Sequence, residues 1–146
     1  MGAHKDKLPK IANLFNRDGG PEPPVGISVP QAMYDDFVKI SEPIQKIRPD
    51  YPFEVKVREP RKRPTRMGGT DASVFAIEGV PTLGFTTEDF KGYDFDYGEI
   101  WHTERDLYTK NIPEYQEHTA TVTAIIALGV ANLDKQLSRE GLYTEE

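Results

Sequence analysis

Residues 30–58 read PQAMYDDFVKISEPIQKIRPDYPFEVKVR and combine two different periodicities. In the first part, apolar side chains recur every three or four residues, which predicts a helix from Pro30 to Ile47. The residues on this apolar stripe are Met33, Phe37, Ile40, Ile44 and Ile47. In the second part, apolar and charged residues alternate from Phe53 to Arg58, which predicts an edge strand with one solvated face.

The flanking sequence extends this pattern in both directions. It predicts a buried strand over Lys10–Asn16, no regular structure over Pro21–Gly26, a short helix over Ala72–Gly79, a buried strand over Val80–Phe85, a long irregular loop over Thr86–Thr109 and a long helix over Asn111–Leu137. Alternating strands and helices predict an α/β fold, a sandwich in which helices cover a mostly parallel or mixed sheet. A chain of 146 residues with 37% hydrophobic content is expected to form a single domain over residues 1–146.

Composition narrows the classes of partner. The formal charge of −6 disfavours nucleic acid and anionic membranes as general partners, and no uninterrupted apolar run reaches the length of a membrane span. The first ten residues lack the apolar segment of a signal peptide, so the compartment stays unknown. Because the sequence contains no cysteine, disulfides and thiolate ligands are excluded, and any metal site must use His, Asp and Glu.

Four basic residues lie close together in the proline-containing segment Glu59–Arg66, namely Arg61, Lys62, Arg63 and Arg66. The prolines and the charge predict an exposed loop. The simpler interpretation is a solvated loop, and the alternative is a surface that binds an anionic partner.

Two side chains are candidates for chemistry. Asp18 precedes two glycines, so it is either an ordinary turn carboxylate or a ligand at the end of a strand. His102 lies in the long loop after the single tryptophan, and it is either a structural histidine or a zinc ligand. His4 and His118 are both expected at the solvated surface. The aromatic residues of the loop are candidates for the wall of an apolar pocket: Phe85, Phe90, Tyr93, Phe95, Tyr97 and Trp101.

Other enzyme classes are not supported. The sequence shows no nucleophile elbow, and Gly68-Gly69 is not followed by the Gly-Lys-Ser/Thr of a phosphate-binding loop.

Three motifs together resemble the C-terminal half of the zinc aminopeptidase family, the co-catalytic metallo-exopeptidases that also include glutaminyl cyclases and inactive receptor relatives. The motifs are Asn16-Arg17-Asp18-Gly19-Gly20, then Gly68-Gly69-Thr70-Asp71 with Gly79-Val80-Pro81, and then Trp101-His102-Thr103-Glu104-Arg105-Asp106. The resemblance covers about Lys10 to Leu137. It implies a phosphorylase/hydrolase-like zinc exopeptidase fold, a three-layer sandwich with a mixed sheet flanked by helices, of which this chain is a part.

The resemblance also implies roles for individual residues. Asp18 would bind one zinc ion and His102 the other, while Asp71 and Trp101 would lie in the substrate pocket. The family commonly has His after the position of Asp71, where this chain has Ala72. Many of its peptidases carry Tyr in place of Trp101, whereas the Trp-His-Thr sequence is similar to that of glutaminyl cyclases.

The remaining catalytic groups of the family, a His-x-Asp pair and a Glu-Glu pair that includes the general base, belong to the half that precedes Asp18. The chain is therefore expected to be inactive alone and to need the missing N-terminal half, or a second copy, as partner. The parent would remove N-terminal residues from peptides with two zinc ions, and members of the family are often secreted or periplasmic. A non-catalytic interaction module and a glutaminyl cyclase-like acyltransferase are the alternatives.

Overall fold

The computed structural model describes residues 2–144, and this part of the chain forms a small α/β fold around a three-stranded mixed sheet. The strands are β1 (Pro24–Val29), β2 (Glu54–Val57) and β3 (Phe85–Thr87). The helices are α1 (Tyr34–Ile47), α2 (Ala72–Ile77), α3 (Tyr97–Ile100) and α4 (Pro113–Ala131). Shorter 3₁₀ segments cover Gly2–Lys10, Gln31–Met33 and Tyr108–Lys110. The expected α/β class and mixed sheet are confirmed.

The central strand β1 pairs in parallel with β2 and antiparallel with β3. Gly26 lies opposite Glu54, and a Cβ atom at position 26 would lie only 2.4 Å from the Glu54 carbonyl oxygen. Glycine therefore permits the two strands to approach here. The prediction that β2 is an edge strand is confirmed.

Helices α1 and α4 pack against each other, and they also contact β2 and β1 respectively. At their crossing Gly129 of α4 lies against Ile40 of α1, where a Cβ atom would be 2.4 Å from Ile40 Cγ2. The buried core includes Ile27, Val29, Met33, Phe37, Ile44, Leu83, Val122 and Ile126. The predicted apolar stripe on the first helix thus faces this core, except for Ile47, which is 56% exposed.

Two strands predicted from the sequence are absent, and one observed strand was not predicted. The segment Lys10–Asn16 forms no strand, because its contacts with residues 81–83 use one backbone bond, from Leu14 N to the Pro81 carbonyl (2.9 Å), and otherwise the side chain of Asn13. The segment Val80–Phe85 is not a strand either, since β3 begins at Phe85. The stretch Pro21–Gly26, expected to be irregular, instead contains the start of the central strand.

The helix predictions hold better. The helix expected over Pro30–Ile47 is confirmed, with a 3₁₀ first turn. The short helix expected before Gly79 is confirmed as α2, and the left-handed φ of +77° at Gly79 follows its end. The closing helix ends at Ala131 rather than Leu137. Among residues 2–144, no helix has the length and apolar character to cross a bilayer.

Candidate functional site

An open cleft of about 2170 Å³ lies beside the sheet and receives residues from distant parts of the chain. Its walls include residues 16–21, 69–73, 100–102 and 106–108. All four side chains that the resemblance assigns to metal or substrate line this single cleft, namely Asp18, Asp71, Trp101 and His102.

The turn that carries Asp18 is held by its own neighbours. Asn16 Nδ2 donates a hydrogen bond to Asp18 Oδ2 (2.7 Å). The guanidinium of Arg17 folds back and donates to the carbonyl oxygens of Gly20 (2.7 Å) and Glu22. Burial lowers the pKa of Arg17. Asp18 itself is exposed and lines the cleft.

His102 lies just after the short helix α3. The Asp96 carboxylate caps this helix by accepting from Gly98 N (2.7 Å), and Thr103 N donates to the Ile100 carbonyl (3.0 Å). His102 adopts a left-handed conformation with φ +56°, which costs about 1 to 2 kcal/mol for a residue with a Cβ atom. Such strain is concentrated at functional sites. The exposed imidazole stands edge-on to the Trp101 ring, with 5.0 Å between ring centroids.

The Asp18 turn and the α3 segment touch each other at Gly20. A Cβ atom at position 20 would lie 2.9 Å from Tyr97 Cδ2 and 3.2 Å from Phe95 Cε1. Gly20 has φ +72°, a left-handed conformation that glycine adopts without strain. This contact fixes the Asp18 turn against the segment that carries His102.

Asp71 occupies the N-cap position of α2, but its side chain makes no capping hydrogen bond. In the first turn of this helix the Ser73 hydroxyl donates to the Thr70 carbonyl (2.8 Å), which does not cap a helix N–H group. At the other end of α2, Arg63 donates from Nε and Nη2 to the Ile77 carbonyl (2.9 and 2.6 Å). The Asp71 carboxylate is exposed and remains available to the cleft.

The apolar lining of the cleft differs in part from the expected aromatic wall. Phe85, Tyr97 and Trp101 line the cleft, whereas Phe90 and Tyr93 pack against Tyr115. Two residues not singled out from the sequence, Leu107 and Tyr108, also line the cleft and are 58% and 89% exposed. Phe95 packs against Gly20.

The polar neighbours of His118 predict a surface position, but this prediction is wrong. His118 is fully buried on α4. Its ring stacks on Tyr51 with 3.9 Å between centroids, and Nε2 lies 3.0 Å from the Pro24 carbonyl oxygen. Burial is the main cause that lowers the pKa of His118. The sequence carried a signal for this position, because His118 falls between Tyr115 and Val122 on the inward face of the helix. His4, by contrast, is exposed as expected.

The donor set for a metal is incomplete within the described residues. Across residues 2–144, no group of three His, Asp or Glu side chains is placed to hold a metal ion. Asp18 and His102 therefore provide at most part of a zinc site, and a protein zinc site normally has three or four protein ligands.

Comparisons with protein-family models, curated proteins and solved structures gave no match to this chain.

Proposed function

We propose that this chain is the C-terminal part of a zinc-dependent aminopeptidase domain of the phosphorylase/hydrolase-like, three-layer kind. One observation carries the proposal. Asp18, Asp71, Trp101 and His102 come from three separate sequence motifs, and all four line the same cleft. In this proposal the missing N-terminal half adds the remaining layers, ligands and general base.

Asp18 and His102 would each hold one of two zinc ions. Both side chains are exposed in the cleft, and both are carried on turns that neighbouring hydrogen bonds keep in place. A carboxylate oxygen and an imidazole nitrogen are ordinary zinc ligands. When bound, zinc would supply a water of lowered pKa for hydrolysis of a peptide bond.

The rest of the cleft would receive the N-terminal residue of a peptide. The exposed apolar surfaces of Trp101, Leu107 and Tyr108 offer a wall for its side chain. The uncommitted carboxylate of Asp71 offers an opposite charge for its ammonium group. The chain would thus bind the substrate and hold two of the ligands, while proton transfer depends on the other half.

Zinc titration by calorimetry tests this assignment on the purified chain. We expect weak binding that is lost in His102→Ala and in Asp18→Ala. His4→Ala is the matched control, because His4 is exposed and lies outside the cleft. Equal affinity in His102→Ala and His4→Ala would overturn the proposal. A wild-type chain that folds but binds no zinc even when co-expressed with an N-terminal half would indicate the non-catalytic interaction module instead.

Leucine-anilide hydrolysis, measured in the same samples, tests whether catalysis needs the N-terminal half as well as this chain. The isolated chain is expected to show no turnover. Activity is expected when the chain is co-expressed with an N-terminal half that carries the His-x-Asp and Glu-Glu motifs. Zinc-dependent turnover by the isolated chain would show that it is a complete enzyme.

A glutaminyl cyclase-like reaction is the second candidate, and Trp101 favours it. Its indole offers only an N–H donor, so this position has no hydroxyl with which to polarise a peptide carbonyl. Mass spectrometry of a peptide with N-terminal Gln distinguishes the two reactions. Loss of ammonia from the intact peptide indicates cyclisation, and release of free glutamine indicates an aminopeptidase.

A further inference from the structure

Three basic residues form one wall of the cleft, and the proposed zinc chemistry does not use them. This basic wall consists of Arg58, Arg61 and Lys62. Arg58 directly follows β2, and its backbone N–H donates to the Val29 carbonyl (2.8 Å), so the wall is anchored to the sheet.

Arg58 is only partly satisfied. Its Nη1 donates to the Glu59 carbonyl (3.2 Å), but its Nη2 is buried and has no hydrogen-bond partner among the described residues. A buried donor of a charged group that lacks an acceptor is costly. Burial, and then the neighbouring charge of Arg61, lower the pKa of Arg58.

No carboxylate of the described chain neutralises the basic wall. Within residues 2–144, none of its three members forms an ion pair, although Asp18, Asp71 and Asp106 line the same cleft. Arg61 uses Nη2 for the Thr82 hydroxyl (2.8 Å).

Arg63 of the same loop differs from the wall residues. Its guanidinium is occupied by the Ile77 carbonyl, so it closes a helix end. Within residues 2–144 the basic wall therefore retains charge that no carboxylate pairs with, although the Arg61 guanidinium lies 5.9 Å from the centroid of the Tyr143 ring.

We infer that the basic wall binds a carboxylate group of the ligand, with Arg58 as the main contact. A guanidinium presents paired N–H groups that match the two oxygens of a carboxylate, and Arg58 is one of the residues that line the cleft. The assignment of this ligand as a peptide rests on the proposed function. The preferred substrates would then be short peptides whose C-terminal carboxylate, or an acidic side chain near the N-terminus, reaches the wall.

The test is an NMR titration of the full chain, without zinc, with three probes that differ in their carboxylate. The probes are leucyl-leucine, leucyl-leucinamide and leucyl-glutamate α-amide. Binding of the first probe but not the second indicates recognition of the C-terminal carboxylate. Binding of the third indicates recognition of an acidic side chain. If neither acidic probe binds more tightly than leucyl-leucinamide, the inference is wrong.

Arg58→Gln provides the residue-level test, with Arg66→Gln as control. Arg66 is an exposed cation of the same loop that does not line the cleft. Arg58→Gln is expected to weaken binding of the acidic probe by about tenfold or more, as for a lost charged hydrogen bond, and Arg66→Gln to leave it unchanged. Equal affinities in the two variants would overturn the inference.

The Tm and the zinc affinity of Arg58→Gln serve as controls for these results. Arg58→Gln removes a partly buried charge that has no ion-pair partner in residues 2–144, so its Tm is expected to be no lower than that of the wild type. Its zinc affinity is also expected to be unchanged. A wild-type chain that binds zinc but shows no preference for the acidic probes would therefore fail this inference alone. Loss of zinc binding with intact carboxylate recognition would fail only the proposed function.

Discussion

Gly20 lies so close to Tyr97 that a Cβ atom at position 20 would be 2.9 Å from the tyrosine ring. This contact connects the turn that carries Asp18 with the helix that precedes His102. Two loops far apart in sequence are thereby packed against each other at one contact. We call this contact the junction, and we expect it to set the relative position of the two candidate ligands.

Gly20→Ala should disturb this junction. The new methyl group would meet Tyr97, and the left-handed φ of +72° would be strained for alanine, at a cost of about 1 to 2 kcal/mol. We expect lower stability in urea unfolding and weaker zinc binding in calorimetry. Gly19→Ala is the control, because a Cβ atom there would meet nothing within 4 Å. If both variants bind zinc like the wild type, the junction does not position the ligands.

His118 should make stability depend on pH near neutrality. Burial lowers its pKa in the folded state, and this effect outweighs the hydrogen bond to the Pro24 carbonyl, which raises the pKa. Arg48 and Lys91 add smaller lowering effects, and Asp50 adds a smaller raising one. The unfolded chain, with a histidine pKa of about 6.5, therefore binds a proton at a pH where the folded chain does not. The free energy of unfolding should fall as pH drops below about 6.5 and recover above it.

Urea midpoints at pH 7.5 and 5.5 measure this effect. The carboxylates of Asp89 and Glu114, whose pKa values are lowered by hydrogen bonds from Tyr115 and Lys91 respectively, stay ionised over this range. The difference between the midpoints should shrink in His118→Gln and persist in His4→Gln. An unchanged difference in His118→Gln would assign the pH dependence to other groups.

Gly129→Ala should destabilise the protein through the contact between α1 and α4. The added methyl group would lie 2.4 Å from Ile40 Cγ2, and overpacking of this kind costs about 1 to 3 kcal/mol. The double variant with Ile40→Ala should recover part of this loss beyond additivity. A double-mutant cycle in urea measures the coupling. Strictly additive changes in the free energy of unfolding would show that the methyl group at position 129 and the Ile40 side chain do not clash.

The edge strand β2 should make the isolated chain associate. Among the described residues, only β1 pairs with β2, and Val57 at its end is 45% exposed. An unpaired edge is a template for another strand. Light scattering and binding of a hydrophobic dye should therefore reveal dimers or exposed apolar surface.

A charge on this edge should oppose association, so Val57→Lys is expected to shift the chain towards monomer. Val38→Lys is the matched control, since Val38 lies on α1 and is similarly exposed at 39%. A monomeric wild-type chain that binds no dye would contradict the prediction.

The elements with a clear local period could be predicted from the sequence, and those defined by distant partners could not. Helix α1 and strand β2 follow directly from their apolar spacing. Strand β1 was missed because its prolines suggested a loop, yet Pro24 is the first residue of the strand, where the missing N–H is tolerated.

The opposite error occurred at Asn13 and Leu14. Their apolar surroundings predicted a strand, but a side-chain amide replaces the regular ladder there. For the cleft, the three sequence motifs identified four residues that line it, namely Asp18, Asp71, Trp101 and His102. The partly unsatisfied state of Arg58 emerged only from the fold, because it depends on neighbours that local sequence does not specify.

Arg139 connects the C-terminal part of the described chain to the segment that precedes the Asp18 turn. Its guanidinium donates to the carbonyl oxygens of Leu8 (3.0 Å) and Ile11 (3.2 Å) and also to that of Gly79 (3.1 Å). One side chain near the last helix thus clasps the segment that leads into the Asp18 turn. The segment before the Asp18 turn is therefore held by a residue that follows Ile11 by 128 positions, so a change near the C-terminal end of the described chain should reach the cleft.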